Sequence, residues 1–335
     1  MQNFDFEEEK ILAEISNHNA KCVLLQLPEG LKSEGPRLVK IIEKMGVLPL
    51  ISGDPCYGAC DIIKNDLNRF NVDLIFHFGH SRMLKNKTKP IIYLDVKSKI
   101  KIDKTISESL LFLKKYKTIG LVTTIQHTHT LKTASSLLIA AGKSVLIGKS
   151  NTLPYSGQII GCEYSAAKSI ASKVDAFLFI GGGRFHALGV ALSTNKPTIL
   201  ANPFDQKVIS LEDQTKKLLH QHWISIQKAK KSKNFGVLVG LKPGQEAFNN
   251  ALRIKKSLEK DKKFAFIVLI TEITPEALMA FPSIDVYINT ACPRISFEAP
   301  LKFIKPVLTI NEFKVLSGES SWKELINQGL FENQS

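Results

Sequence analysis

One order of short apolar runs and helical stretches occurs three times along the 335 residues, with a period of about 100. Parallel strands need a long crossover between them, usually a helix, so this rhythm predicts parallel sheets covered by helices. The first unit predicts strands near Cys22–Leu27, Val47–Ile51, Val72–Phe78 and Pro90–Val96, with helices over Gly35–Met45 and Cys60–Phe70. In the second, strands fall near Thr118–Thr124, Ser144–Ile147, Ala176–Ile180 and Thr198–Ala201, and helices over Leu131–Ala141 and Tyr164–Lys173. The third predicts strands near Phe235–Gly240, Phe264–Thr271, Val286–Asn289 and Pro306–Ile310, with a long helix over Gln245–Glu259. The expected fold is α/β: three similar domains over 1–104, 105–203 and 204–335, the last with a preceding linker helix and a C-terminal tail, in pseudo-threefold order around a centre.

Offsets within the repeat give the cysteines their meaning. Cys60 precedes Asp73 by thirteen positions and Cys162 precedes Asp175 by the same thirteen, so the two hold equivalent places. Cys292 follows Asp285 by seven, a position matched by His80 after Asp73 and Gly182 after Asp175. All three cysteines therefore follow a strand, and in parallel α/β sheets such loops gather at the carboxyl edge, where ligands bind. Three edges facing one centre bring the thiolates together. The competing reading is three separate small core residues, since free cysteine is among the most buried residue types. The Gly- and Pro-rich surroundings, Gly53-Asp-Pro-Cys-Tyr-Gly-Ala-Cys-Asp61, Gly161-Cys-Glu-Tyr164 and Thr290-Ala-Cys-Pro-Arg294, favour loops. Cys22, inside Lys21-Cys-Val-Leu-Leu-Gln-Leu27, reads as structural. Cys56 reads as a spare loop thiol, with a zinc site shared among Cys56, Cys60, Cys162 and Cys292 as the alternative.

Composition narrows the class. Five scattered cysteines do not make a disulfide framework, and the acidic start Met1–Lys10 lacks the order of a secretory signal, so a cytoplasmic protein is expected. Apolar runs such as Phe264–Ile270 are too short to cross a bilayer. The net charge of +14 favours acidic partners, but no RNA-binding signature or aromatic-interleaved basic stripe accompanies it, and specific nucleic-acid binding is not expected.

Five segments in order resemble one family, the diphthamide-forming 2-(3-amino-3-carboxypropyl)histidine synthases, most of all the single-subunit archaeal type. They are Leu27-Pro-Glu-Gly-Leu31, Gly53–Asp61, Thr123-Thr-Ile-Gln-His127, Gly181-Gly-Gly-Arg-Phe-His186 and Asn289-Thr-Ala-Cys-Pro-Arg-Ile-Ser-Phe297. The resemblance implies a [4Fe-4S] cluster held by one cysteine per domain, mapping onto Cys60, Cys162 and Cys292, with the fourth iron free of protein. It also implies transfer of the aminocarboxypropyl group of S-adenosylmethionine to C2 of a histidine in elongation factor 2, by a radical route, with an electron donor and a homodimer. As in the family, there is no Cys-x-x-x-Cys-x-x-Cys run. The tail Gly318–Ser335 matches nothing assignable.

Further S-adenosylmethionine contacts are expected from the same segments. The backbone N–H groups of Gly181, Gly182 and Gly183 precede a helix near Phe185 and can take a carboxylate or adenosine, a plain strand-to-helix turn being the alternative. Arg294 suits a bidentate carboxylate contact or compensation of cluster charge. Gln126, His127 and His186 are placed to touch substrate, against the alternative of satisfied loop side chains. Glu29 can bind the substrate ammonium or merely cap a helix N-terminus. Two rivals remain at this point: a quinolinate synthase-like [4Fe-4S] dehydratase, which needs no S-adenosylmethionine, and a non-catalytic zinc-stabilised adaptor.

Overall fold

A computed structural model describes residues 3–63, 67–83 and 89–330. The first part of the chain runs β1 (Phe4–Asp5), α1 (Glu8–Asn17), β2 (Cys22–Gln26), α2 (Gly35–Glu43), β3 (Leu48–Ile51), β4 (Leu74–Phe78), β5 (Ile91–Leu94) and β6 (Lys97–Ser98). It continues through α3 (Asp103–Phe112), β7 (Thr118–Thr123), α4 (Leu131–Ala140), β8 (Ser144–Leu146), α5 (Ser165–Lys168), β9 (Ala176–Ile180), α6 (Phe185–Thr194), β10 (Thr198–Asn202), β11 (Lys207–Ser210) and α7 (Glu212–Lys230). The last part holds β12 (Asn234–Gly240), α8 (Phe248–Lys260), β13 (Phe264–Ile270), α9 (Pro275–Met279), β14 (Val286–Asn289), α10 (Pro293–Lys302), β15 (Val307–Thr309), α11 (Ile310–Ser317) and α12 (Trp322–Gln328).

These elements form three parallel sheets of one topology, ordered β3-β2-β4-β5, β8-β7-β9-β10 and β13-β12-β14-β15. Central strands such as β2, β4 and β9 are buried at every residue, as expected of strands covered on both faces. A single device starts each sheet. The carboxylate of Asp73 accepts the N–H groups of Lys21 and Cys22, that of Asp175 those of Lys117 and Thr118, and that of Asp285 those of Lys233 and Asn234. Each aspartate thus ties the loop before the third strand to the start of the first, and those hydrogen bonds hold its pKa below the ordinary carboxylate value.

Departures from the threefold pattern have local causes. The helix expected over Cys60–Phe70 is reduced, in its described part, to one 3-10 turn at Leu67–Phe70; residues 64–66 lie outside the described residues. Asp61 prevents a helical start there, because its N–H donates to the Gly58 carbonyl while its carboxylate accepts the Tyr57 N–H, closing a tight turn. The helix expected over Tyr164–Lys173 is split into α5 and a 3-10 turn at Ala171–Lys173. Strand β11 adds an antiparallel edge to the second sheet from residues beyond 203, and α7 leads from it to the third. One apolar core runs from the second sheet through α6 and α7 into the third, taking in Phe177, Val190, Ile226, Phe235 and Leu308, whereas the first sheet keeps its own around Phe76 and Leu25. The described part of the tail, up to Leu330, is packed: α12 lies on α6 and α11, Trp322 meets Trp223 with ring centroids 5.3 Å apart, and the Leu330 N–H donates to the Leu192 carbonyl. No helix among the described residues is long and apolar enough to cross a membrane.

Candidate functional site

The carboxyl ends of the three sheets surround a cavity of about 610 Å³. Every sheet supplies its loops in the same order. After the first strands come Leu31, then Gln126 and His127, then Lys242 and Gln245; after the second come Cys60, then Cys162, then Glu272. After the third come His80, then Gly182, then Cys292. The thirteen-residue offset that pairs Cys60 with Cys162 lands on Glu272 in the third unit, and the seven-residue offset groups His80, Gly182 and Cys292. All six of these equivalent positions line the cavity.

Cys60, Cys162 and Cys292 are each partly exposed, whereas Cys22 and Cys56 are buried at 5% and 2%. Burial raises the Cys162 pKa, and repulsion from Cys292 and Cys60 raises it further. Burial followed by repulsion from Cys60 pushes Cys292 up to about 11, even though the Arg294 N–H and guanidinium oppose the shift. Burial and the Asp61 charge raise Cys60, while a 3.4 Å hydrogen bond from Gln245 Nε2 to its Sγ works against them. Three thiols that destabilise one another's ionised forms make a donor set that a multiply charged cation would relieve.

Around the thiols the cavity is polarised by neighbours. Lys242 Nζ lies 2.7 Å from Asp61 and also pairs with Glu272; the two carboxylates more than offset burial and raise its pKa. Arg294 stacks over Phe185 at 4.6 Å and Tyr57 at 5.7 Å, which fixes a charge beside Cys292. His127 is 1% exposed, and neither ring nitrogen has a hydrogen-bond partner. Burial and then His129 lower its pKa to about 4. It is therefore a neutral imidazole on the cavity wall whose hydrogen-bonding capacity no protein group uses.

The other expected contacts divide. Gln126 lines the cavity, donating to the Gly79 carbonyl at 2.7 Å; His186 lines it too, stacked on Phe179 and lowered by burial to about 4. Of Gly181, Gly182 and Gly183, only Gly182 is on the wall. The Gly181 N–H is taken by the Ala201 carbonyl and is not available to a ligand, a correction imposed by sheet pairing. Gly181 and Gly183 have φ of 152° and 73°, so both serve the strand-to-helix turn. Glu29 is the second correction: it is exposed, absent from the cavity wall and ion-paired with Lys32 at the start of a 3-10 turn. Gln245, Lys242 and Glu272 carry no local motif and escape a reading of the sequence, although Glu272 sits at the register already used for the cysteines; Asp61 ends a matching segment, but nothing in the sequence marks it as a partner for Lys242.

The model of the family described as "Putative diphthamide synthesis protein" matches residues 27–326. The chain belongs to the diphthamide synthesis family. It is 32% identical over 316 residues to the 2-(3-amino-3-carboxypropyl)histidine synthase of Pyrococcus horikoshii, covering 94% of this chain and 91% of that one. It is 31% identical to subunit 1 of the Schizosaccharomyces pombe enzyme, covering 100% of this chain and 78% of that subunit. A crystal structure of Dph2 from Pyrococcus horikoshii with a 4Fe-4S cluster superposes with a TM-score of 0.86 at 32% identity, over 95% of this chain and 92% of that one. Like that relative, this member of the diphthamide synthesis family is α/β, with mainly parallel sheets flanked by helices.

Proposed function

We propose that this chain is a 2-(3-amino-3-carboxypropyl)histidine synthase that moves the aminocarboxypropyl group of S-adenosylmethionine onto C2 of a histidine in elongation factor 2, the first step of diphthamide formation. The observation that carries the proposal is the presence of three partly exposed cysteines, one from each sheet, on one cavity wall. Cys60, Cys162 and Cys292 would hold a [4Fe-4S] cluster; three thiolates suit it, and the related Pyrococcus horikoshii Dph2 crystal structure contains one. Bound there, the cluster supplies one electron and an iron with an open coordination position.

The chain's own groups do the rest. Imidazole C2 is a poor nucleophile and a polar alkylation favours a ring nitrogen, so bond formation at carbon calls for a radical fragment. One electron breaks the carbon–sulfur bond to that fragment and methylthioadenosine departs; the fragment forms a carbon–carbon bond at C2, and the adduct gives up the C2 hydrogen as a proton together with one electron, so the transfer is redox-neutral overall. Arg294 flanks the cavity with fixed positive charge, suited to the substrate carboxylate, and His127, its ring nitrogens unpartnered, lines it with Gln126, Gly182 and His186. Gln245 donates to Cys60 Sγ and orients that thiolate. Such positioning selects which carbon–sulfur bond lies at the reducing centre. An external electron donor and a homodimeric, cytoplasmic setting complete the reading. Reduced, anaerobically reconstituted protein incubated with S-adenosylmethionine and elongation factor 2 should add one aminocarboxypropyl mass to a single histidine of the factor. An unmodified factor, with the cluster intact, rejects the activity.

A further inference from the structure

Beside the central thiols lies a second group of metal-ligating side chains that the reaction does not use. Cys56 Sγ and one ring nitrogen each from His77 and His80 all lie within 4.8 Å of one another. We propose that Cys56, His77 and His80 form a separate site for one divalent transition metal of the zinc class, which pins the loop carrying Cys60 to the end of β4. Thiolate with two imidazoles is a donor set that selects zinc, cobalt or copper over magnesium or calcium.

Hydrogen bonding supports that reading. Gln26 is 1% exposed, and its amide Nε2 donates to the Asp61 carbonyl, so its Oε1 faces His77 Nδ1 at 3.1 Å. His77 Nδ1 must therefore carry the proton. Its Nε2 is left as a bare lone pair, directed at His80 Nδ1 2.9 Å away. An amide oxygen that fixes the tautomer and turns the other nitrogen inward is the arrangement metal-bound histidines use. The two nitrogens are already about as close as ligands of one tetrahedral ion, which lie roughly 3.3 Å apart, and Cys56 needs only a side-chain adjustment to join them. Burial keeps both imidazoles neutral, the form that ligates. The Asp61 carboxylate adds negative charge felt by His80 and Cys56.

The position gives the metal a purpose. Gly53–Asp61 has no helix and no strand, and it presents Cys60 to the cavity four residues after Cys56. Binding Cys56 to His77 and His80 would fasten this loop to the sheet independently of the other two units.

The test titrates cobalt(II) anaerobically into the full chain carrying Cys60→Ala, Cys162→Ala and Cys292→Ala. One equivalent should bind with tetrahedral visible bands and a thiolate-to-cobalt charge-transfer band, and zinc should bleach them. Adding Cys56→Ser should weaken binding by more than about tenfold. A natively folded triple variant, judged by circular dichroism, that takes up no cobalt overturns the site, as do bands that survive Cys56→Ser. Should the triple variant not fold, zinc content of the otherwise native chain decides: Cys56→Ser and His80→Asn should each remove one equivalent, and unchanged content overturns the proposal. Iron content of the native chain reports on the central thiols separately, so the two assignments fail independently.

Discussion

Single side chains in this protein divide by what they face. Cys22 and Cys60 are both cysteines in the first unit, yet Cys22 lies within β2 against Leu24, Val72 and Ile75, whereas Cys60 opens onto the cavity. Replacing Cys60, Cys162 or Cys292 with alanine should abolish iron retention and the absorbance of the anaerobically reconstituted protein, while Cys22→Ala should keep both and cost only about 1 kcal/mol of stability. Iron analysis with denaturant melts separates the two classes. His127 predicts a pH effect. Its folded pKa, near 4, lies below the ordinary 6.5, so its contribution is present above 6.5 and is lost as pH falls through the folded value. His127→Gln should flatten the stability loss between pH 6.5 and 4 by about 2–3 kcal/mol, read from urea melts across that range.

At the scale of elements, the three aspartate clamps are the repeated structural device. Each sits at the surface but satisfies two backbone donors at the start of a sheet. Asp285→Ala should lower the melting temperature of the protein without changing its iron content, because the clamp lies at the amino ends of the strands, opposite the cavity. Equal iron loss and thermal loss would contradict that separation. The tail makes a different prediction. Helix α12 begins with a capping box between Ser321 and Glu324 and anchors Trp322 on Trp223, so Trp322→Ala should cost about 2 kcal/mol, measured by denaturant melts.

The whole molecule is held around its cavity by contacts between units. Lys242 of the third unit pairs with Asp61 of the first, both largely buried at 12% and 3% side-chain exposure. Lys242→Met should leave the Asp61 carboxylate without its partner and destabilise the protein by about 3 kcal/mol, seen as a lower denaturant midpoint. Gln245 makes another crossing, from the third unit to Cys60. The second and third units also share one apolar core through α7, where His222 Nδ1 and the Glu312 carboxylate, both buried, meet at 2.7 Å.

Much of this was legible in the chain. The strands, the aspartate register and the three loop cysteines follow from local periodicity and spacing, because a parallel strand buried on both faces must be written as an apolar run and a loop must be written in glycine and proline. What periodicity could not carry was convergence. Glu29 belongs to a matching segment yet faces solvent, the Gly181 N–H is spent on a neighbouring strand, and Asp61 turns an expected helix into a loop. Lys242 and Gln245 meet Asp61 and Cys60 only when the third sheet is docked on the first, and the Cys56–His77–His80 group forms only when the loop after β3 folds back onto the end of β4. Spacing along a chain encodes which edge of a sheet a residue occupies, but the distance between edges depends on how side chains from distant segments pack, and no local pattern records that.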